Sequence, residues 1–356
     1  MESLPARGPF AELDSRAAVR DGFHDVAELV AALSDQLASQ AERSRGFANV
    51  YERSLTLSER LERIVEGQAG EARGIDVRWY ELFPRGFAIH ATPLDLAGPL
   101  RAMRERTQAA WIHTSATLSV GGEFGHFARQ LGLEDPQTLS LESPFDYARQ
   151  ALCHLPSGLP DPAARDYTDK VIEAVLPVLE ASHGRAFLLF TSHRALRRAA
   201  ELLRTRVPWP LFVQGEAPRH RLLEEFRLGA ASFWEGVDVA GEALSVVVID
   251  KLPFAAPDDP VLQARLEALE QAGINPFMAW QVPSAAIALK QGAGRLIRDV
   301  HDRGVLVLCD PRLVSKGYGK LFLASLPPMP RTRELGDVRA FFAVHGDTGP
   351  PPCFLR

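Results

Sequence analysis

Apolar positions along this chain follow two periods, and their alternation predicts most of its secondary structure. From about residue 167 onward, short apolar runs alternate with segments whose apolar residues recur every three to four positions. The first pattern is typical of buried β-strands and the second of amphipathic helices. Strands that alternate with helices in this way predict a parallel sheet with helices on both faces. We therefore expect an α/β fold.

The predicted elements of this region follow one another closely. They are helix 167–182, strand 186–190, helix 193–205, strand 210–214, helix 220–228, strand 231–234, strand 244–250, helix 260–271, further helices through residue 298, strand 305–310 and a closing helix near 312–325. Pro327, Pro328 and Pro330 then interrupt the pattern, which predicts a loose tail over 336–356.

The first part of the chain has a different pattern. Residues 11–68 show helical spacing, and two strands are expected at 77–83 and 86–92, followed by a short helix at 94–103 and a strand at 110–114. Prolines and paired glycines between 119 and 166 indicate a linker. We expect boundaries that divide the chain into 1–75, 76–145, 146–335 and the tail 336–356.

Composition restricts the function classes. No apolar run reaches the roughly 18–20 residues of a membrane span, so we expect a cytoplasmic protein without a membrane partner. The three cysteines are far apart, which argues against a zinc ribbon or a four-cysteine iron–sulfur cluster, and we assign no metal ligands.

Charge argues against a simple nucleic-acid binder, because the net charge is −5. A local basic groove remains possible, since five arginines fall in one short segment. A solvated helix face explains this run equally well. The five are Arg194, Arg197, Arg198, Arg204 and Arg206.

The octapeptide from Gln291 to Arg298 combines an amide, two glycines and two arginines. If it is helical, Arg295 and Arg298 project from one face, because they are three residues apart. Guanidinium groups bind phosphate oxygens well, and Gly294 lets a ligand approach closely. Two ordinary surface arginines are the competing interpretation of this octapeptide taken alone.

Polar residues follow several of the predicted strands. Thr191, Ser192 and His193 open a helix, where backbone N–H groups and hydroxyls suit a phosphate, although Ser192 is also a simple helix cap. Glu235, Gly236 and Asp238 form an acidic turn after strand 231–234. The small-residue turn after strand 110–114 contains Thr114, Ser115, Ala116 and Thr117.

Taken together, these four stretches resemble helicase motifs III, IV, V and VI in order and approximate spacing. The chain is similar to the DinG/XPD type of superfamily 2 DNA helicases, and within it to the DinG/YoaA branch, over about residues 75–330. The runs 248–254, 257–260, 317–319 and 326–328 strengthen the likeness. The resemblance implies that 1–75 is an arch-domain remnant, 76–145 the end of the first motor domain with a linker, and 146–335 a second RecA-like domain.

The resemblance also implies roles for the motif residues. Gln291 is expected near the γ-phosphate of ATP, with Arg295 and Arg298 as arginine fingers and Gly294 beside the nucleotide. Glu235, Gly236 and Asp238 are expected to link ATP to single-stranded DNA. Thr191, Ser192 and His193, with Arg194 and Arg197, are expected to contact that DNA, and Thr114–Thr117 to couple hydrolysis to domain closure. Translocation from 5′ to 3′ is typical of the family.

The sequence lacks G-x-x-x-x-G-K-[ST], the phosphate loop, and the D-E-x-H box that holds magnesium. ATP and Mg²⁺ are therefore expected to be shared with a missing N-terminal motor half, which would also carry any cluster cysteines. Replication or repair proteins are further possible partners. One alternative is a non-catalytic DNA- or protein-binding module, and another is an unrelated α/β enzyme.

Overall fold

A computed structural model describes residues 4–65, 76–218, 244–343 and 353–355. The chain divides into two compact units, each built from several segments. The first contains Met1–His113, Phe127–Pro136 and Ala255–Trp280, and the second contains Thr114–His126, Gln137–Phe254 and Gln281–Arg356. The expected boundaries were contiguous, and they placed 255–280 in the RecA-like domain rather than with the N-terminal region.

The first unit combines helices with a small antiparallel sheet. Its elements are β1 (Arg7–Pro9), α1 (Phe10–Asp14), α2 (Ala17–Ala38), α3 (Arg45–Val65), β2 (Asp76–Phe83), β3 (Gly86–Pro93) and α4 (Ala97–Glu105). The strands pair antiparallel in the order β1-β2-β3, and a two-residue turn joins β2 to β3. Phe10 and Tyr80 are fully buried at the centre of this unit. Helix α5 (Gly125–Leu131) has residues in both units.

The second unit is built on an all-parallel sheet. Its elements begin with α6 (Tyr147–Gln150), β4 (Ala151–His154), α7 (Tyr167–Ala181), β5 (Ala186–Leu189), α8 (His193–Arg204), β6 (Leu211–Val213) and β7 (Val246–Ile249). Helix α9 (Pro260–Gln271) belongs to the first unit. The second unit continues with α10 (Val282–Ala293), β8 (Gly304–Leu308), α11 (Arg312–Ser315), α12 (Gly319–Ser325), β9 (Arg331–Thr332), α13 (Leu335–Ala343) and β10 (Cys353–Leu355).

The strands of the second unit lie in the order β6-β10-β5-β7-β8-β4-β9, and every pairing is parallel. All residues of β7 and β8 are buried. Because successive side chains point to opposite faces of a sheet, both faces are covered. The α/β fold class expected from the sequence is confirmed.

Several expected elements differ from the structure. Residues 110–114 do not form a strand, and the helix expected through residue 298 ends at Ala293. The expected linker contains β4, which pairs with β8 inside the sheet. The tail was expected to be loose, but α13 buries Val338 completely in the core cluster. The helix expected at 220–228 and the strand at 231–234 lie outside the described residues.

In the described part of the chain, no helix combines the length and apolar character that a membrane span requires.

Candidate functional site

Among the described residues, those expected to contact ATP and those expected to contact DNA lie at opposite edges of the parallel sheet. Thr191, Ser192 and His193 come after β5, and therefore lie at the edge where the strands end. The segment from Gln291 to Arg298 precedes β8, and therefore lies at the edge where the strands begin. A strand of five residues separates the two edges by roughly 15 Å. The structure does not bring the two groups into one pocket.

Ser192 caps α8 at the edge where β5 ends. It has extended backbone angles, and its Oγ accepts a hydrogen bond of 3.2 Å from the backbone N–H of Ala195. The backbone N–H of Thr191 donates to Oδ1 of Asp250, 3.1 Å away at the end of the neighbouring strand. These two bonds fix the turn between β5 and α8 and orient the first N–H groups of the helix.

Asp250 is 2% exposed, although it carries a carboxyl group. Burial raises the pKa of Asp250 from 3.8 to about 7, and the Lys251 ammonium and the donated backbone N–H groups oppose part of this shift. Its Oδ2 is buried without a hydrogen-bond partner among the described residues. A neutral carboxyl is less costly in such a place than an ionised one.

A second buried carboxylate, Asp310, follows β8 and is fully partnered. It accepts hydrogen bonds from the backbone N–H of Leu252 at 2.8 Å and from the Arg312 guanidinium at 2.6 to 3.1 Å. These bonds to Asp310 raise the pKa of Arg312. The Tyr167 hydroxyl also joins the ends of β7 and β8, because its single O–H lies within hydrogen-bond distance of the carbonyls of Asp250 (2.6 Å) and Cys309 (3.1 Å).

The arginines of α8 divide into two classes. Arg194 and Arg197 are exposed and form no ion pair with any other residue that the structure describes. Arg198 forms a bidentate pair with Asp169 at 2.8 and 2.7 Å. Arg204 pairs with Glu216. Among the described residues, no carboxylate engages the donors of these two arginines, so they can face a phosphate.

An open depression of about 180 Å³ lies beside the start of α8. It is lined by Phe190, Thr191, Ser192, His193, Leu196 and Gln214.

At the edge where the strands begin, the segment from Gln291 to Arg298 differs from the expected helix with two arginines on one face. Helix α10 stops before Gly294, whose N–H still bonds the Lys290 carbonyl at 2.9 Å. Gln291 is exposed in the last turn of the helix, Arg298 is half-buried, and Arg295 is only 6% exposed. The helix expected through residue 298 would have placed the two arginines on one face, but both follow the end of α10, so that condition is not met.

The connection between α10 and β8 is held by two polar side chains. Oδ2 of the buried Asp302 accepts the backbone N–H groups of Arg298 (2.7 Å) and Asp299 (2.8 Å). The two N–H groups of the Gln150 amide lie within hydrogen-bond distance of three carbonyls of the same connection at 2.9 to 3.1 Å, those of Asp299, Val300 and Asp302. The backbone from which the Arg298 side chain projects is therefore held by hydrogen bonds to its N–H groups and to neighbouring carbonyls.

Gly304 marks the point where this connection enters β8. A Cβ atom at this position would lie 2.6 Å from Leu296 Cδ1 and 2.6 Å from the Ser245 carbonyl oxygen. The absence of a side chain therefore lets the connection pack directly against the neighbouring strand.

The turn Thr114–Thr117 is closed by its own hydroxyls. The Thr117 N–H donates to Ser115 Oγ at 3.1 Å, and the two hydroxyls are also 3.1 Å apart. Ser115 and Ala116 are exposed.

Glu235, Gly236 and Asp238 lie outside the described residues. Within the residues described, no three acidic, histidine or cysteine side chains are grouped as ligands for a metal ion.

Sequence reasoning missed the residues that position these two edges. Asp250 appeared only as part of a family-like run, and neither Asp302 nor Gln150 was singled out. An acidic residue that directly follows a buried strand is one signal for such a residue, since its carboxylate can accept N–H groups of the adjacent turn. Gln150 carries no comparable signal, because its partners are about 150 positions away in the chain.

Comparison with known proteins shows which proteins this chain is similar to. Residues 175–329 match the family model of the helicase C-terminal domain. The chain is 43% identical to the ATP-dependent DNA helicase YoaA of Haemophilus influenzae over 343 residues, which cover 94% of this chain and 53% of that protein. It is 39% identical to the ATP-dependent helicase DinG of Mycobacterium tuberculosis over 264 residues, or 71% of this chain and 40% of that protein.

A solved structure supports the fold. An XPD helicase matches with a TM-score of 0.52 at 16% identity, covering 84% of this chain and 55% of the other. The chain spans about half the length of the YoaA protein it matches, and less of the DinG protein. The resemblance expected from the sequence is thus confirmed: the chain is homologous to the YoaA and DinG helicases, carries a helicase C-terminal domain, and shares the fold of the XPD helicases.

Proposed function

We propose that this chain acts as the second motor domain of an ATP-dependent DNA helicase. The observation that carries the proposal is that Arg194 and Arg197, at the start of α8, and the segment from Gln291 to Arg298 lie at opposite edges of one parallel sheet. A motor domain of this kind has to contact a nucleotide on one side and a DNA strand on another. The names of the homologues, which are ATP-dependent DNA helicases, support this assignment.

In this proposal, the edge at the start of α8 binds the phosphate backbone of single-stranded DNA. The N–H groups of a capped helix N-terminus favour an anion. Thr191, Ser192 and His193 line the adjoining depression, and Arg194 and Arg197 add two unpaired positive charges within the described part of the chain. Contacts of this type do not depend on base sequence, as a translocating motor requires.

The opposite edge is proposed to contact ATP. The exposed Gln291 amide and the half-buried Arg298 fit a phosphate group on the surface, whereas the buried Arg295 reaches one only if the connection shifts. ATP with Mg²⁺ supplies the phosphoryl group whose transfer drives the motor. Residues of this chain contribute positive charge at a fixed position, and Gly294 leaves room beside it.

A complete ATP site requires a phosphate loop, and this sequence contains none. We propose that the first motor half, with that loop and a magnesium ligand, is the principal partner. Glu235, Gly236 and Asp238 are proposed to link ATP to DNA, and Thr114–Thr117 to couple hydrolysis to domain closure. Translocation from 5′ to 3′ and work with replication or repair proteins are proposed from the family resemblance.

Binding to labelled oligothymidine across a salt series tests the DNA surface. We expect replacement of Arg194 or Arg197 by alanine to weaken binding. Each change should lower the slope of log affinity against log salt by about 0.7, since one phosphate contact is lost on a single strand. Arg198→Ala is the matched control, because this arginine is already paired with Asp169. It should leave the slope nearly unchanged.

Two results would contradict the DNA role. One is binding that does not respond to salt, and the other is equal loss in all three variants. Absent or salt-insensitive binding would instead favour a protein-binding module, which the net charge of −5 also fits.

A further inference from the structure

The carboxyl group of Asp250 touches the turn at which a DNA phosphate is proposed to bind. Its Oδ1 accepts the backbone N–H of Thr191 at 3.1 Å. The next residue, Ser192, caps α8, and the depression beside the turn is lined in part by Thr191, Ser192 and His193. One hydrogen bond therefore separates this carboxyl group from the backbone that is proposed to meet the phosphate.

The second oxygen of Asp250 has no donor in the described part of the chain. Oδ2 is buried without a hydrogen-bond partner there, and so is the Thr191 hydroxyl. An ionised carboxylate only accepts hydrogen bonds, and burying it without donors is costly. Asp310 shows the contrast, because its buried carboxylate has the Arg312 guanidinium and the Leu252 N–H as donors. The surroundings of Asp250 therefore favour the neutral, protonated form.

Other charged and titratable groups face Asp250 from the elements around it. Burial raises the pKa of Asp250 to about 7, while the Lys251 ammonium opposes this shift and the Asp310 carboxylate adds to it. Burial also raises the pKa of Cys309 and of Tyr167, so both stay neutral. Among the described residues, the full set is Lys251, Tyr167, Cys309, Asp310 with its partner Arg312, and His193 in the depression.

We propose that Asp250 is a positioning residue of the DNA surface, and that its carboxyl group takes up a proton from solvent when single-stranded DNA binds there. A phosphate at the start of α8 brings a second negative charge to the turn that Asp250 contacts. Like charges in partly buried surroundings repel, which favours the protonated acid. With the proton on Oδ2, Oδ1 still accepts the N–H of Thr191 and keeps the turn in place. This inference rests on the proposed function, since it takes the ligand to be a DNA phosphate.

Calorimetric titration of the full chain with oligothymidine tests the proton uptake. At about pH 7.5, PIPES and Tris release protons with different enthalpies, so the difference in observed heat counts the protons exchanged. We expect uptake on the order of half a proton per strand bound from Asp250. The affinity of the unchanged chain should fall about tenfold from about pH 6 to about pH 8.5.

Variants separate Asp250 from the histidine in the same depression, because histidines also exchange protons near neutral pH. Asp250→Asn keeps an acceptor for Thr191 but has no proton to take up, so the uptake should fall by the Asp250 share. His193→Gln should retain that share. At about pH 8.5, Asp250→Asn should bind about tenfold more tightly than the unchanged chain, and this gap should close as the pH falls.

Two results would overturn the proposal. One is equal proton uptake by Asp250→Asn and the unchanged chain, with an affinity that the substitution lowers equally at every pH, as a purely structural role predicts. The other is the loss of all uptake in His193→Gln. This second measurement leaves Asp250 unchanged, so it decides the question even if Asp250→Asn does not fold.

Failure of this inference is distinguishable from failure of the proposed function. Salt-dependent binding that requires Arg194 and Arg197 but takes up no proton would overturn the inference alone. Absence of oligothymidine binding at every pH would overturn both.

Discussion

At the scale of single residues, three buried aspartates beside the parallel sheet show how this chain accommodates buried carboxyl groups. Asp310 is paired with Arg312, and Asp302 accepts two backbone N–H groups. Asp250 accepts the N–H of Thr191 on one oxygen and leaves the other without a partner among the described residues. Burial therefore raises the pKa of Asp250, and this carboxyl should govern part of the pH dependence of folding.

We expect Asp250 to make stability fall as pH rises from about 4 to about 7. Native Asp250 holds its proton up to about pH 7, whereas the unfolded chain releases it near pH 4. The native state thus binds more protons in this window, and its free energy of unfolding decreases with pH. Asp250→Asn keeps an acceptor for the N–H of Thr191. In urea unfolding, its free energy of unfolding should exceed that of the unchanged chain by on the order of 1–4 kcal/mol at pH 8 and should not exceed it at pH 4.

Lys251 and Asp310 also act on the charge of Asp250, so the comparison has to be between variant and unchanged chain at each pH. A stability difference that stays constant from pH 4 to pH 8 would show that Asp250 ionises normally.

At the scale of elements, the connection between α10 and β8 decides what the arginine motif can do. Its backbone is held by Asp302 and by the Gln150 amide. The side chain of Arg298 therefore projects from a backbone position that these hydrogen bonds define. This arrangement suits a charge that has to be in place before a reaction begins.

Asp302→Ala should release this connection. It removes the acceptor of two backbone N–H groups, those of Arg298 and Asp299, and should lower the free energy of unfolding by about 2 kcal/mol. Hydrogen exchange at these two amides should accelerate. Asp299→Ala is the control, because the only hydrogen bond of the Asp299 carboxylate among the described residues is the exposed one from the His301 N–H. This change should cost less than about 0.5 kcal/mol. Unchanged exchange in Asp302→Ala would show that Gln150 alone holds the connection.

At the scale of the whole molecule, we propose that this chain supplies one of the two motor domains of a helicase, with its expected DNA and ATP contacts at opposite edges of one sheet. We expect the purified 356-residue chain to hydrolyse ATP only at background rate, with or without single-stranded DNA, because it has no phosphate loop. A phosphate-release assay measures this directly. Arg298→Ala controls for contaminating enzymes, and DNA-stimulated hydrolysis that this variant abolishes would refute the prediction.

Most elements of the parallel sheet were predictable because their signals are local. The buried runs that became β5, β7 and β8 are apolar over four or five residues, and α9 begins and ends where its pattern predicted, Pro260–Gln271. The strand expected at 110–114 begins with the apolar residues Ala110, Trp111 and Ile112 but did not form. A strand needs a partner, and no strand among the described residues pairs with it.

The sequence by itself determined the α/β class, the order of the helicase-like motifs and the identity of the charged residues. These depend on local periodicity and on residue chemistry. Only the tertiary structure decided that α10 ends before Arg295, that this arginine is buried, and that the motif lies across the sheet from Thr191. The burial of a side chain, and the edge of the sheet at which it lies, depend on which strands pair and in which direction. Those pairings join residues that are far apart in the chain.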